Sequence, residues 1–236
     1  MGSIKDDRGY NQGFKQTKAL DIRSERRCDY IIQQMSRFDS GKILEIGCGT
    51  GEMSHILAQK TSMEVLGTDL CTPFIEEASR QFKLPNLSYR VLDFNNPTLD
   101  GEKYDFVVGN GILHHLYNNL DQALINIKSL LKENGKIIFL EPNLYNPYCF
   151  LIFNTWPVFR RMANLEPDEM AFSKSYITRI LLKHDYDEVK VEYKDFLLPN
   201  IPGFLIRPSI MLGAVLEKLP LFKMVSQSIF ISAKKL

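Results

Sequence analysis

The 236-residue sequence predicts an α/β fold on a parallel sheet, and three observations carry that prediction. Five short apolar runs alternate with amphipathic helical runs between residues 17 and 140. The first apolar run ends in closely spaced glycines that lead straight into a helix. Carboxylates then stand at the ends of the next two runs. Alternation of this kind joins neighbouring parallel strands through right-handed helical crossovers.

Each element has its own signal. Cys28, Ile31, Ile32, Met35 and Phe38 recur at helical spacing, predicting an amphipathic helix over residues 17–38 that Ser40-Gly41 breaks. Lys42–Ile46 is the first strand, and a helix follows its glycines to about Gln59. Met63–Thr68 is the second strand and ends at Asp69. Thr72 is then expected as N-cap and Pro73 as the first helical residue, with Glu76 and Glu77 near the positive end of the dipole. Leu87–Leu92 is the third strand, closing on Asp93-Phe94, and Tyr104–Gly109 is the fourth. Ala123, Ile127, Leu130 and Leu131 mark a helix expected to stop at Asn134-Gly135 before the fifth strand, Lys136–Leu140.

After Glu141 the rhythm changes. Residues 144–159 are aromatic, carrying Tyr145, Tyr148, Phe150, Phe153, Trp156 and Phe159. A helix over 173–183 and a strand over 188–193 follow. Residues 196–222 are apolar and broken by four prolines, with a helix over 208–219 whose only charges are Glu217 and Lys218. Such a helix must bury against the cap, a second subunit, an apolar substrate or a membrane surface. Gln227–Ala233 alternates like a last strand. One domain is expected over 1–236, with a cofactor-binding core at 17–140 and acceptor-side insertions at 141–186 and 194–225.

Composition excludes several classes. A hydrophobic fraction of 44% and a charged fraction of 24% allow a sizeable core. A net charge of +1 argues against a broad nucleic-acid footprint. Cys28, Cys48, Cys71 and Cys149 show no paired metal spacing, so no metal site is predicted and reduced thiols in a cytoplasmic protein are expected. Residues 1–16 are polar and unlike a secretory signal, and Asp6 stands where myristoylation wants Ser or Thr. No uncharged run is long enough to span a bilayer.

A strand, then glycines, then a helix N-terminus is a general nucleotide-binding device, because backbone approaches the ligand and presents unpaired N–H groups. Here the glycines are Gly47, Gly49 and Gly51, and Cys48 lies between the first two. A dinucleotide fingerprint would place its third glycine at position 52, which is Glu52. A pyrophosphate would meet Glu45 and Glu52 as like charges, whereas the amine and sulfonium of S-adenosylmethionine would be favoured by them. Asp69 ends the second strand, where a carboxylate can accept from both ribose hydroxyls. Leu70 and Phe74 are expected on the adenine face, and Asp93-Phe94 at its amino group and edge.

Ile43-Leu44-Glu45-Ile46-Gly47-Cys48-Gly49-Thr50-Gly51 resembles the first motif of class I S-adenosylmethionine-dependent methyltransferases, and the likeness runs through Asp69, Asp93 and Asn110–His115. The resemblance implies a Rossmann-like sheet of seven strands, the last antiparallel, with helices on both faces. It also implies cofactor contacts at Glu45, Gly47, Asp69 and Asp93, with Asn110 near the methionine moiety, and S-adenosylhomocysteine as product. Asn146-Pro147-Tyr148 is similar to a signature of methyltransferases acting on exocyclic or amide nitrogens. That signature follows the fourth strand, so here the tripeptide is read as a turn and nucleic acid is not expected as a partner. Glu141-Pro142-Asn143 with Asn146-Pro147-Tyr148 and the late apolar segment is similar to methyltransferases of bacterial polysaccharide, lipid and secondary-metabolite pathways.

Methyl transfer from a sulfonium is an in-line displacement that depends on alignment, and a base helps where the acceptor must lose a proton. His114, His115 and Glu141 are the candidates; the bland reading has one histidine packing and the other capping a helix. His55 and His184 are read as surface or packing residues. Arg160-Arg161 could clamp an acidic group, although a solvated pair is commoner. The expected acceptor is a small amphipathic molecule, lipid-linked or polyketide-like, with residues 196–222 meeting it or a membrane surface, in a monomer or homodimer. The competing readings are an NAD-dependent oxidoreductase and a non-catalytic S-adenosylmethionine-binding protein.

Overall fold

The computed structural model describes residues 17–35, 40–94, 101–154, 160, 169–198 and 200–236. Helix α1 (Lys18–Met35) precedes β1 (Lys42–Ile46), α2 (Glu52–Lys60), β2 (Glu64–Asp69), α3 (Thr72–Gln81), β3 (Leu87–Val91) and β4 (Tyr104–Asn110). A 3-10 turn (Leu113–Asn119) leads into α4 (Leu120–Leu130) and β5 (Leu131–Pro142). Then come α5 (Pro147–Asn154), α6 (Lys174–Lys183), β6 (Tyr186–Lys194), α7 (Gly203–Leu216), a short 3-10 turn (Phe222–Val225) and β7 (Ser228–Lys235).

The strands form one sheet in the order β3-β2-β1-β4-β5-β7-β6. The first five pair in parallel, and β7 runs antiparallel between β5 and β6. Strand order reverses between β1 and β4, so a crevice opens at their C-terminal ends. Both faces are covered, which is why these strands read as near-continuous apolar runs. Ile43, Val65, Phe106 and Val108 face Ile31 and Met35 of α1 and Leu57 of α2. Their neighbours Leu44, Leu66 and Val107 face the other way, toward Leu124 of α4 and Leu181 of α6.

The structure differs from the sequence reading at several ends. Thr72 is the first residue of α3 instead of its cap; Cys71 holds the extended N-cap position, and its N–H donates to Asp69 Oδ1 at 2.8 Å. Glu76 and Glu77 therefore lie beyond the first turn of α3. Helix α4 stops at Leu130, because Leu131 is already extended and pairs with Tyr104. Asn134, at φ 64, turns the chain within the irregular start of β5. Asn146 is an N-cap, its Oδ1 accepting from the N–H groups of Tyr148 (3.0 Å) and Cys149 (3.1 Å), with Pro147 opening the helix. Helix α7 starts at Gly203 and carries Pro208 inside it, which forfeits one backbone hydrogen bond. Phe38, Trp156, Phe159, Arg161 and residues 1–16 lie outside the described residues. No described helix is long and apolar enough to cross a membrane.

Candidate functional site

Beyond Ile46 the chain turns through residues 47–51 into α2. Cys48 N–H donates to the Thr68 carbonyl at 2.9 Å, and Gly49 N–H donates to Asp69 Oδ2 at 2.9 Å. Two glycines are required here. At Gly47 (φ +67) a Cβ would come within 2.7 Å of the Ile112 side chain, and at Gly51 (φ +88) within 2.6 Å of the Tyr89 hydroxyl. That hydroxyl donates to the Gly51 carbonyl at 3.0 Å and ties β3 to the turn.

A cavity of about 410 Å³ lies against this turn. Glu45, Gly47, Cys48, Gly49, Phe74 and Asn110, all expected at the cofactor, line it. Asp21 and Glu25 of α1, together with Glu52, add carboxylates, and no lysine or arginine lines it among the described residues. Gly51, Asp69, Leu70, Asp93 and Phe94 lie off that wall. Asp69 is held at the β2 end by the two backbone donors already named, with further lone pairs for a ligand. Asp93 is exposed and Phe94 buried.

Glu45 is the unusual group. It is 2% exposed, and burial pushes its carboxyl up to about 7. The Ser54 hydroxyl, donating to Glu45 Oε2 at 2.5 Å, opposes that rise, while Glu52 and Asp69 add to it. An acid strained in this way is relieved by a cation beside it.

The second cluster sits where β4 and β5 end. Glu141 is fully buried, and its Oε1 accepts from the N–H groups of Ile112 (3.1 Å) and Leu113 (2.8 Å). Its Oε2 meets His114 N–H at 3.3 Å and His114 Nδ1 at 2.9 Å. His115 Nδ1 lies 2.9 Å from Glu169 Oε1, and the two imidazole rings are 4.1 Å apart. A buried carboxylate on Nδ1 makes that nitrogen the N–H donor and leaves Nε2 as the basic lone pair. Glu141 itself, enclosed by donors, positions His114. His114, His115 and Glu169 also bring three possible ligand atoms within 4.8 Å of one another.

A third cluster, missed in the sequence, joins α1 to the end of β6. Asp195 Oδ2 accepts from Arg23 Nε (2.7 Å) and from Arg27 Nε (3.0 Å) and Nη2 (2.7 Å). Arg27 also donates to Ser228 Oγ at 2.6 Å and, through Nη1, to Asn110 Oδ1. Burial alone would raise the Asp195 carboxyl, but the two guanidiniums hold it at about 2. Burial, then the neighbouring Arg23, lowers Arg27 to about 10. The sequence signal was present: Leu20, Ser24, Arg27 and Ile31 share one helical face, so a charge interrupts the buried stripe. Glu169 carried no such signal.

Other expected residues are spoken for. Arg160 donates to the carbonyls of Phe153 (2.7 Å) and Glu169 (3.0 Å), fixing the insertion after β5. His184 caps α6, with Nε2 2.5 Å from Asp121. His55 stacks on Phe82 at 4.3 Å on the cavity's outer wall.

Residues 44–137 match the family model described as a methyltransferase domain. The chain is 27% identical over 184 residues to a probable polyketide synthase of Dictyostelium discoideum, covering 66% of this chain and 6% of that protein. It therefore spans a small fraction of the curated relatives it matches. Among solved structures, phosphoethanolamine N-methyltransferase 2 of Haemonchus contortus, in complex with S-adenosyl-L-methionine, aligns with a TM-score of 0.65 at 18% identity, over 89% of this chain and 52% of that one. The CurJ carbon methyltransferase aligns at 0.64 and 19% identity, over 94% and 56%. Sheet order, glycine turn and matched core agree: residues 44–137 match a methyltransferase domain, and the chain has the Rossmann-like fold of the class I S-adenosylmethionine-dependent methyltransferases.

Proposed function

We propose that the chain transfers the methyl group of S-adenosylmethionine to a small amphipathic acceptor at a carbon made acidic by neighbouring carbonyls. Glu45, Gly47, Cys48, Gly49 and Asn110 hold the methionine end, with Asp69 on the ribose and Leu70, Phe74, Asp93 and Phe94 toward the base. The acidic wall, without a lysine or arginine among the described residues, supports this reading over a dinucleotide. Bound there, the cofactor supplies an electrophilic methyl on a sulfonium.

One observation carries the catalytic part: Glu141 Oε2 lies 2.9 Å from His114 Nδ1. The buried carboxylate fixes the tautomer and stabilises the imidazolium once His114 Nε2 takes the acceptor's proton. The electron pair left on the acceptor then forms the new bond to the methyl carbon as the carbon–sulfur bond breaks. His115, paired with Glu169, covers the base from the insertion side. Residues 141–186 and 194–225 form the acceptor side, and the carbon assignment draws support from the polyketide synthase and carbon-methyltransferase relatives.

The test uses isotope-labelled cofactor methyl and a short β-ketoacyl thioester. Label should appear on the acceptor carbon, and in deuterated buffer the enzyme should exchange that carbon's proton without cofactor. His114→Asn should lose both while keeping S-adenosylhomocysteine affinity. Transfer to an amine acceptor with no exchange at carbon would refute the carbon assignment; cofactor binding with no transfer to any acceptor would favour a binding protein.

A further inference from the structure

Helix α7 and the turn after it make few contacts with the body of the protein. Only Ile206 and Gly213 of α7 are buried: Ile206 packs with Ala19 of α1 and Leu197, and Gly213 lies against Phe196. Ile210 leans on the same cluster, and most of the other apolar residues of α7 are turned to solvent. Phe204 is 78% exposed and Leu221 79%, and Met211, Leu212, Val215 and Phe222 are more than half exposed. Scattered apolar residues on a surface are ordinary; a continuous apolar helix and turn is a binding surface.

Charge says what covers it. Between Gly203 and Val225 the single acid is Glu217, which is turned inward onto Lys194 Nζ (3.1 Å) and Asp195 N–H (3.0 Å). The cations Arg207, Lys218 and Lys223 have no acidic partner among the described residues, and Arg207 and Lys218 are exposed. Phe204, Arg207 and Met211 fall on one helical face, so apolar and cationic side chains point the same way, and Lys218 follows in the turn after the helix. Long cationic side chains can keep their heads at an anionic surface while their stems and the apolar residues sink below it. A second copy of the same face would bring like charges together, which disfavours a symmetric dimer through it.

We propose that α7 and the 219–225 turn form a docking surface for an anionic lipid bilayer, lying in the interface without spanning it. Burial of apolar area plus attraction of cations to anionic headgroups is what holds such helices to membranes. The surface leans on α1, whose Asp21 and Ser24 line the cofactor cavity, so docking would set the acceptor side of the fold against the lipid. The inference goes beyond the proposed carbon chemistry and does not depend on it.

Flotation of the full chain with lipid vesicles tests it. The protein should float with vesicles containing about one-third phosphatidylglycerol, float poorly with pure phosphatidylcholine, and be released by high salt. Phe204→Ser with Leu221→Ser should reduce partitioning by roughly tenfold or more while leaving S-adenosylhomocysteine binding unchanged. Arg207→Glu with Lys218→Glu should remove the preference for anionic lipid. No flotation with anionic vesicles, or equal flotation of the Ser variant, would overturn the proposal. So would a dimer in sedimentation that dissociates in the Ser variant, since a second copy would then be the occupant.

Discussion

The two sides of the crevice are built by opposite means. The cofactor side is held by backbone conformation: Gly47 and Gly51 at positive φ, and the N–H groups of Cys48, Gly49 and Cys71 fastened to the end of β2. The opposite side, the proposed acceptor side, is held by side chains far apart in sequence. Arg27 reaches Asp195, His115 reaches Glu169, and Asn143 donates to the carbonyls of Met224 and Ser226, both at 2.8 Å. A backbone turn is a local device that many sequences with the same glycines can make. Long-range side-chain ties are lost one substitution at a time, so the acceptor side is where related domains can diverge.

The largest expected effect separates catalysis from binding. His114→Asn should lower turnover by roughly 10²–10⁴-fold, the usual contribution of a positioned base, with S-adenosylhomocysteine affinity intact by calorimetry. His115→Asn should cost much less. If the two variants lose equal activity, the division of roles between the two histidines is wrong.

The next effect is on stability. Asp195→Ala leaves the buried Arg27 and the half-buried Arg23 without their anion and should cost about 3–5 kcal/mol in urea unfolding. Because the folded carboxyl titrates at about 2, below its ordinary value, its stabilisation is complete above that ordinary value and is lost as pH falls through about 2. Acid unfolding of the wild type should therefore show a component absent from the variant. An unchanged acid limb would mean the tie between α1 and β6 contributes little.

The smallest effect has an opposite sign in the two states of the site. Glu45 titrates at about 7 in the fold, above its ordinary value, so the unliganded protein loses stability as pH rises between the two and levels off above about 7. Glu45→Gln should raise the melting temperature of the unliganded protein near neutral pH by a few degrees, and weaken S-adenosylhomocysteine by roughly tenfold. A variant that melts lower and binds as well would remove Glu45 from the site.

The same contrast explains what the sequence could reveal. Lys42–Ile46, the glycine turn and the strand–helix alternation of the core were legible because their signals are local: period, glycine spacing and acids at strand ends. The early stop of α4 was not, because Leu131 is claimed by pairing with Tyr104, a tertiary choice that overrides the cap signal at Asn134-Gly135. Asn146 looked like a turn because Asn-Pro begins turns and helices alike, and only its two backbone acceptor bonds decide. Glu169 and Asp195 were invisible as site residues, since nothing near them in sequence marks the histidine and arginine they meet. The α1 wall of the cavity was half legible: its apolar face was read, but not that Leu20, Asp21, Ser24 and Glu25 line the cavity.

The central claim is that an acidic, strained site selects a phosphate-free cation. Titration calorimetry of the full chain with S-adenosylhomocysteine and with NAD, repeated from pH 6 to 7.5, tests it most directly. One S-adenosylhomocysteine should bind per chain, its affinity should tighten as pH rises toward the Glu45 value of about 7, and NAD should show no measurable binding. NAD binding as tightly as S-adenosylhomocysteine, or affinity that weakens over that range, would contradict it.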